Sequence, residues 1–600
     1  MISAINNKIR SVFDLDLRSL AVFRIMLGII VLGDLWARLV DLKAHYSDLG
    51  ILPRQLALTS VNYPWEISLH MISGQWQVQA VIFALHMVAA LCLIFGFHTR
   101  KAIVVTWLLT LSLHYRNTLL LHGGDSVIKL LLFWGQFLPL GARYSIDRAL
   151  DTGLHNHKHH HWSMAGVALV VQLALIYLCT GILKSDPMWT SNFQATFYAL
   201  SGEPLTSVWG KELLPYKGLL EFLTVATLVL EIVGPILLFV PYRNQMVRLG
   251  VCCAFISFHL GIAATMDIGN FPYICIAAWV ALLPTKFWGI LADRIYARKA
   301  RGVTIYYDEG CLFCLKTSRI LRTVFVLPDA EIIPAQSLAE KHEKMLHHNS
   351  WVVSNSEGDA IKGAGLLKLM ELSPLVPFGG RWLGFSLPVL NKFYEFCAAR
   401  RRALSSLTKP LPLKPLPPIG LSLTKKIFVS LCLGYVCLWN LSTLPGQEDV
   451  LPEDAVWVGE LMGLTQEWSM FAPFPGMANG WYVVKGHFAS GEVLDVWQNQ
   501  ELSYSRPDSI KQNFGNDRWT KYLMGAWHEE AERYLSGFGD YLCEKWNSRG
   551  GDHLEEIRIS FMLEQLQRDY QPPRPVEELK IFHWVCARGA DPEKGLASRE

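Results

Sequence analysis

Two cysteines near the middle of the chain are spaced as a CxxC motif. Cys311 and Cys314 stand in the run DEGCLFC, between the β-branched and aromatic run Val303–Tyr307 and a helical pattern that begins at Lys316. A strand, a tight turn and a helix would place Cys311 at a helix N-terminus, where unpaired N–H groups and the helix dipole stabilise a thiolate. Cys314, one turn further on, would resolve a mixed disulfide. The spacing predicts dithiol–disulfide chemistry, with half a zinc site or two cysteines without a chemical role as alternatives.

A second set of reactive side chains lies in or beside long apolar runs. Lys184 follows the run Met164–Leu183, and a partly desolvated lysine at such a place can act as a base. The alternative is an amine that reaches the lipid headgroups. Ionisable groups inside apolar runs usually face an interior cavity, and four such residues are His114, Arg116, Asp125 and His259. We expect Lys184, His114 and His259 to share one polar pocket, with satisfied core histidines as the alternative.

The composition indicates a protein that uses a lipid bilayer as solvent. Of its 600 residues, 51% are hydrophobic and only 18% are charged, whereas about a quarter of the residues of a soluble domain are charged. The 21 Trp and 20 Tyr suit the membrane interface. A net charge of +3 provides no polybasic field for nucleic acid. The lipid bilayer is therefore the predicted partner, and nucleic acid is not.

Nine apolar stretches are predicted to span the bilayer, the fourth of them being short. Eight form a bundle over residues 1–295, and Lys and Arg in every second loop place the N-terminus in the cytoplasm. No cleavable signal peptide is predicted, because the first stretch is long and lacks a small-residue cleavage site. Arg24 and Asp34, ten residues apart in that stretch, are expected to have partners on other helices. The nine stretches are Leu20–Leu39, Val78–Phe97, Ala102–Leu121, Val127–Leu140, Met164–Leu183, Leu219–Val240, Val247–Thr265, Tyr273–Ile290 and Ile427–Leu444.

The sequence pattern changes after the eighth apolar stretch. Residues 301–404 are predicted to form a cytoplasmic thioredoxin-like α/β domain, and residues 405–424 an extended proline-rich linker. The ninth transmembrane helix, over 425–444, leads to an extracytoplasmic tail over 445–600. The predicted fold class is mainly α: a polytopic helical membrane bundle with an inserted thioredoxin-like α/β domain and a C-terminal α+β domain. A multi-pass protein of the cell membrane, inner or plasma, is expected.

Three further features belong to loops and the tail. Cys543 and Cys586 are the two cysteines of the tail, and an oxidising compartment makes them a candidate structural disulfide. The His-rich segment 154–162 is interpreted as a solvated loop, and no metal site is predicted. The run QEWSMFAPFP over 466–475 is either a packing surface next to the membrane or a binding lip.

The CxxC segment resembles a known family. YYDEGCLFC is similar to the YDGxCxxC signature of the DCC family of thiol-disulfide oxidoreductases, and GDAIKGAGLLKLM and NKFYEFCAARRR resemble its downstream pattern. The resemblance implies that Cys311 attacks, Cys314 resolves, Asp308 of the same signature supports them, and the partner is a thiol or disulfide protein. Glu309 stands where the family usually has Gly, which leaves the acidity of the cysteines open.

The membrane half resembles the HTTM domain, the membrane domain shared with vitamin K-dependent gamma-carboxylase. The motifs occur in order over Asp14–Pro284, and they are DLRSLAVFRIMLG, HYSDLGILPR, HYRNTLLLHGGDSVIKLLLFWGQFLPLGARYSID, TGILKSDPMW and FHLGIAATMDIGNFPYICIAAWVALLP. In the carboxylase a lysine followed by a tryptophan is the base that deprotonates vitamin K hydroquinone, and Lys184 with Trp189 matches that motif. The resemblance implies a vitamin K-type hydroquinone or another quinone as cofactor, and a protein or quinone substrate at the outer face.

Three functional hypotheses follow, in this order. The first is a membrane-bound thiol-disulfide oxidoreductase with the Cys311–Cys314 dithiol, coupled to the HTTM domain. The second is a quinol-dependent, carboxylase-like lyase that uses Lys184 as its base. The third is a non-enzymatic membrane scaffold or transporter. The second ranks below the first because the tail is short compared with the outer portion of known carboxylases.

Overall fold

The computed structural model describes residues 8, 10–61, 64–153, 159–295, 302–374, 383–527 and 532–586. Residues 154–158 of the His-rich segment, the first residue of the predicted 301–404 domain and the last fourteen residues of the tail lie outside this description.

The first half of the chain is a bundle of helices. Each apolar run forms a helix, and polar side chains start several of them: Asp16 accepts a hydrogen bond from Arg18 N–H, and Ser163 from Gly166 N–H. A two-residue pairing of β1 (Leu15–Asp16) with β2 (His160–His161) joins the starts of two helices. The long helices of this half are α1 (Leu17–Leu39), α2 (Trp76–Phe95), α3 (Thr99–Arg116), α4 (Gly123–Gly135), α5 (Met164–Leu183), α6 (Lys217–Leu237), α7 (Asn244–Thr265), α8 (Phe271–Ala281) and α9 (Thr285–Ile295). Shorter helices occupy Leu42–Tyr46, Arg54–Leu56, Ile146–Ala149, Pro187–Thr190, Ala195–Ser201 and Val208–Leu213.

Within the described residues, five helices are long and apolar enough to cross a membrane: α1, α2, α5, α6 and α7. Helices α8 and α9 meet at 93° and would add a sixth span if they count as one. The stretches predicted at 102–121, 127–140 and 427–444 are also helical but fall outside this set. Helix α3 carries three basic residues, and α4 has only 13 residues. The structure therefore shows a multi-pass helical membrane protein, and the count of nine spans stays a prediction.

The CxxC segment belongs to a small four-stranded sheet. Its strand order is β4–β3–β5–β6; β4 is parallel to β3, and the other neighbours are antiparallel. The helices of this segment pack around the sheet over a core that includes Val303, Ile305 and Val353. The elements are β3 (Thr304–Tyr307), α10 (Leu312–Val324), β4 (Glu331–Pro334), α11 (Ala339–His348), β5 (Val352–Asn355), β6 (Gly358–Ile361), α12 (Lys362–Leu372), α13 (Leu387–Ala399) and a short helix Arg401–Leu407.

The C-terminal part begins with an apolar helix and continues into an antiparallel sheet. Strand order in this five-stranded sheet is β11–β10–β7–β8–β9. Its core continues without a break into the core of the bundle. The elements are α14 (Leu423–Ser442), β7 (Ala478–Phe488), β8 (Val493–Asp495), β9 (Gln500–Glu501), α15 (Asp517–Ala526), α16 (Glu532–Asn547), β10 (Leu554–Gln565) and β11 (Glu577–Val585), with short helices Val456–Met462 and Ile510–Phe514.

The CxxC domain contacts the bundle near the start of helix α3, and the tail contacts the end of this helix. At its start, Thr99 N–H donates to Asp147, and the neighbouring Asp151 carbonyl accepts a 3.4 Å hydrogen bond from Arg319 of α10. At its end, the Tyr115 hydroxyl donates to the carbonyl of Glu460. A helix of 18 residues is about 27 Å long.

Candidate functional site

Lys184 forms a buried ion pair with a carboxylate of a neighbouring helix. It is the residue directly after α5, and its Nζ lies 2.5 Å from Oε2 of Glu231 on α6. Both residues are 4% exposed. The amine also lies 4.6 Å from the ring centroid of Trp189. The burial of Lys184 excludes the alternative in which its amine reaches the lipid headgroups, because the amine points into the protein.

Trp189 is positioned by the short helix Pro187–Thr190. The Asp186 side chain caps this helix by accepting the Met188 N–H at 2.9 Å. Partial burial raises the pKa of Asp186, but the Met188 N–H and the Arg568 guanidinium, 2.9 Å away, lower it more, so the net pKa is below its ordinary value. Trp189 Nε1 donates to the carbonyl of Phe471 at 2.9 Å. The tail therefore holds the aromatic partner of Lys184 in place.

Lys184, Glu231 and His259 line one cavity of about 590 Å³. Tyr177 OH lies 2.7 Å from Nε2 of His259 and accepts a 2.8 Å hydrogen bond from Trp279. The other ring nitrogen of His259, Nδ1, is buried and has no hydrogen-bond partner among the described residues. The site thus combines an ion pair with a buried histidine nitrogen that has no hydrogen-bond partner among the described residues.

The tail forms part of the cavity wall. Met470 and Phe471, from the run over 466–475, and Met524 of α15 line the cavity together with residues of α5, α6 and α7. The same run is anchored in the bundle, since Trp468 is fully buried and its Nε1 donates to Asn440 of α14 at 2.8 Å. The run therefore packs on the bundle and also lines the cavity; that it acts as a binding lip stays a prediction.

The cavity opens between two membrane-crossing helices. Its lining includes Ser257 and Gly261, which are exposed on α7, and Thr227, which is half-buried on α6. Nothing lies within 4 Å of the position that a Cβ of Gly261 would take. Most other lining residues are apolar, for example Leu200, Leu205, Leu223, Ile262 and Phe271. An apolar molecule could therefore enter from the lipid and place a polar end at Lys184.

His114 lies elsewhere, which corrects the expectation of a three-residue pocket. Its Nε2 is 3.3 Å from Oδ1 of Asp125, and it lines a separate cavity of only about 20 Å³. Asp125 also binds Arg38 at 2.8 Å. His114 therefore belongs to a cluster of side chains around the Asp125 carboxylate, which attracts cationic neighbours. His259 shares the Lys184 cavity, and His114 is not among the residues that line it.

The His114 cluster contains a residue that sequence reasoning missed. Arg518 of α15 donates to Oδ2 of Asp125 at 2.6 Å and to Oδ1 of Asp34 at 2.6 Å. Burial lowers the pKa of Arg518, but the two carboxylates outweigh it and hold the pKa well above its ordinary value. Asp34 also pairs with Arg38, four residues along its own helix, at 2.7 Å. Asn270, the residue directly before α8, also donates from Nδ2 to Oδ1 of Asp34 at 3.5 Å. The partners of Asp34 are therefore a neighbour in α1, a residue of the tail and, as expected, a residue of the bundle outside α1.

Two other buried arginines bind backbone carbonyls. Arg24 donates to the carbonyls of Tyr144 at 2.6 Å and Leu140 at 3.0 Å. Arg116 donates to the carbonyl of Leu52 at 2.8 Å. Both side chains tie a helix to a neighbouring loop or helix end, so Arg24 does have partners outside α1, as expected.

Glu231 was also missed, although its sequence carried a signal. It is an acidic residue inside the apolar stretch Leu219–Val240, and such residues usually mark an interior partner or site. Arg518 carried no comparable signal, because it stands in a mixed polar and aromatic segment of the tail.

Cys311 occupies the N-cap of α10, as the spacing predicts. Its Sγ accepts the backbone N–H of Cys314 at 3.2 Å. The two cysteines are joined as a disulfide, with their Cα atoms 5.2 Å apart. Asp308 accepts hydrogen bonds from Gly310 N–H at 3.2 Å and from Gln336 Nε2 at 3.0 Å. Asp308 therefore fixes the turn that presents Cys311.

A cavity of about 360 Å³ lies beside the dithiol. Cys314, Phe393 and Arg401 are among its lining residues, and Cys397 is a third cysteine there. The cavity gives Cys314 an apolar neighbourhood, while Cys311 stands at the helix N-terminus.

The tail cysteines and residues 159–162 of the His-rich segment have defined places. Cys543 of α16 is disulfide-bonded to Cys586, which follows β11, with Cα atoms 5.6 Å apart. His160 Nδ1 lies 3.5 Å from the Asp14 carboxylate. In the described part of the chain, no group of three or more His, Cys, Asp or Glu side chains is placed to hold a metal ion.

The apolar helices and their buried polar sites define a multi-pass helical membrane protein. The family model of the HTTM domain matches residues 14–288. This match confirms the HTTM part of the sequence resemblance and covers the helices that carry Lys184, Glu231 and His259. No curated protein and no solved structure matches the chain.

Proposed function

We propose that this protein is a membrane-bound thiol-disulfide oxidoreductase whose redox dithiol is Cys311 and Cys314. The observation that carries the proposal is the N-cap position of Cys311, with its Sγ accepting the Cys314 N–H. A sulfur at this place is stabilised as a thiolate by the helix dipole and by the N–H groups of the first turn.

The surrounding topology supports the same proposal. A parallel β3–α10–β4 unit followed by the antiparallel β5–β6 hairpin is the arrangement expected of a thioredoxin-like domain, in which a CxxC motif follows the first strand. It agrees with the resemblance to the DCC family, and we assign the domain to residues 301–404.

The proposed reaction is a two-step exchange. The Cys311 thiolate attacks one sulfur of a partner disulfide, which forms a mixed disulfide and releases the second partner sulfur as a thiolate. The Cys314 thiolate then attacks Sγ of Cys311, forms the Cys311–Cys314 disulfide and releases the first partner sulfur. The partner gains two electrons and the dithiol loses two. The reverse sequence oxidises a partner dithiol.

Cysteine variants test this order of attack. Cys314→Ser should accumulate mixed disulfides through Cys311, because the resolving thiol is missing, whereas Cys311→Ser should accumulate few. Cys397→Ser is the matched control, since Cys397 lines the same cavity but is not at the helix start. Non-reducing electrophoresis and mass spectrometry of the intact protein in nanodiscs would detect the adducts. Equal trapping in both CxxC variants would contradict the proposal.

A second candidate function concerns the HTTM domain. The Lys184 cavity is apolar, opens between α6 and α7, and ends at an ion pair and a histidine. These features suit a quinol with an apolar tail, in agreement with the vitamin K-type cofactor that the resemblance implies. An ammonium group has no lone pair, so Lys184 can act as a base only after Glu231 takes one of its protons.

Binding of a short-chain naphthoquinone to the protein in nanodiscs tests the cavity. Lys184→Ala and His259→Ala should each weaken binding at least about tenfold, corresponding to the loss of one hydrogen bond in a buried site. Lys217→Ala is the control, because Lys217 stands at the start of α6 and stacks on Tyr570 outside the cavity. Unchanged affinity in the first two variants would contradict this candidate. A Glu231→Gln variant that still binds the naphthoquinone but has lost quinol-dependent turnover would support the proton transfer from Lys184 to Glu231.

The two soluble parts are proposed to lie on opposite sides of the membrane. The bond from Arg319 to Asp151 near the start of α3 and the bond from Tyr115 at the end of α3 to Glu460 support this arrangement, as do the basic loops of the sequence. Reporter fusions after Thr408 and after Glu600 should give opposite signals. The same signal from both would mean that α14 does not cross the bilayer.

A further inference from the structure

Helix α13 of the CxxC domain and the turn before it expose a row of large apolar side chains. Their exposed fractions are 81% for Phe385, 68% for Val389, 62% for Phe393 and 52% for Phe396. Phe385 lies in the short 3-10 helix Leu383–Ser386 that precedes α13, and the spacing of four and three residues places Val389, Phe393 and Phe396 on one face of α13. Surfaces of soluble domains seldom carry so continuous an apolar row unless it contacts a partner or a membrane.

The opposite face of α13 attaches it to the domain. Asn391 Oδ1 accepts the Gly363 N–H at 3.0 Å, and the Tyr394 hydroxyl accepts the Trp351 N–H at 2.9 Å. These bonds fix the rotation of the helix about its axis. The apolar row is therefore held outward by the fold.

Basic residues accompany the row. Lys392 and Arg400 are exposed, and the Arg400 guanidinium lies 3.9 Å from the ring centroid of Phe396. The one carboxylate of α13, Glu395, is paired with Lys362 at 2.7 Å, which offsets its charge. An amphipathic helix with aromatic residues on one face and cationic residues beside it is typical of a helix that lies in a membrane interface.

The chain on both sides of the domain keeps α13 near lipid. Before the domain, α9 ends at Ile295 after a 93° turn from α8. After it, α14 begins at Leu423, with Lys425 and Lys426 in its first turn. The domain itself contacts the end of the bundle through Arg319 and Asp151. The occupant nearest to the row is therefore the bilayer that surrounds the bundle.

We propose that Phe385 and the face of α13 formed by Val389, Phe393 and Phe396 dock on an anionic lipid surface. The aromatic and aliphatic side chains enter the boundary between headgroups and acyl chains. Lys392 and Arg400 bind the lipid phosphates, as basic residues near an anionic surface do. This docking does not depend on the redox activity. If that activity holds as well, the cavity beside Cys314, which Phe393 lines, opens next to the membrane surface.

A fluorescent, environment-sensitive amino acid in place of Val389 tests the docking. The intact chain is compared in nanodiscs of phosphatidylcholine alone and of phosphatidylcholine mixed with phosphatidylglycerol. We expect blue-shifted emission and protection from an aqueous quencher in the anionic nanodiscs, with a smaller effect in the neutral ones. The control position is Leu346 on α11, which is 66% exposed and should report water in both.

Charge variants separate lipid from other occupants. Arg400→Glu should remove most of the difference between the two lipids at position 389, and high salt should do the same because it screens exposed charges. Emission at 389 that reports water in both nanodiscs would overturn the proposal. So would protection that is equal in both lipids and accompanied by a doubled particle mass, because that result would assign the face to contact between two copies of the chain.

Discussion

Replacing Arg518 with Ala should loosen the tail from the membrane bundle more than any exposed ion-pair change. The guanidinium binds Asp125 at 2.6 and 3.1 Å, Asp34 at 2.6 Å and the carbonyl of Leu120 at 3.0 Å. All these groups are buried or half-buried. Once the arginine is removed, two carboxylates share the remaining buried cation, Arg38.

The size of the effect follows from that loss of charge. Removing one partner from a buried ion pair costs about 3–5 kcal/mol, because the other charge stays desolvated and unpaired. At about 1.4 kcal/mol for each factor of ten, the equilibrium constant for opening of the tail should rise by roughly two to three and a half orders of magnitude. The opening constant of Arg518→Lys should lie between those of the unaltered protein and Arg518→Ala, because an ammonium keeps the charge but cannot bridge both carboxylates with a planar fork.

Hydrogen exchange and limited proteolysis of the protein in nanodiscs measure this opening, since both follow the population of the open state. Arg506→Ala is the matched control: Arg506 is a tail arginine, 43% exposed, that pairs with Glu203 of the bundle. Exposed pairs contribute about 0–1 kcal/mol. Protection of α15 that is equal in Arg518→Ala and Arg506→Ala would refute the reasoning. Adding Asp34→Asn to Arg518→Ala should restore part of the protection, because one uncompensated charge is gone.

Two further predictions concern the tail. The pKa of Asp186 is lowered in the folded protein, so its pair with Arg568 should stabilise the fold above the unfolded pKa of about 3.9 and lose this effect as the pH falls through the folded pKa. In thermal unfolding, the Asp186→Asn variant should therefore be less stable than the unaltered protein at neutral pH and equally stable in strong acid. A stability difference that does not change with pH would contradict this prediction. The Cys543→Ser variant should lack the disulfide to Cys586, which closes a loop of 43 residues, and the stability of the tail should fall by about 2–5 kcal/mol. A reductant should then have no further effect on the unfolding of the tail.

The sequence determined the local features of the protein because they depend on neighbouring residues. Apolar runs had to form helices in lipid, since an unpaired backbone group is expensive there. A β-branched run, a turn and a CxxC at the start of a helical pattern were enough to predict Cys311 at the N-cap. Lys184 at the end of an apolar helix, five residues before Trp189, was likewise visible in the sequence, and the HTTM match covers both positions.

The tertiary structure decided which of these groups meet. Glu231 lies 47 positions after Lys184, and Arg518 lies 393 after Asp125, and nothing in the local pattern specifies such pairs. His114 and His259 have similar sequence surroundings, yet one joins the Asp125 cluster and the other the Lys184 cavity, because each polar group in a membrane bundle must find a partner across helices. A buried charge can be paired with a residue from any part of the fold. The sequence therefore identified the groups that need partners, and the packing of helices and tail selected those partners.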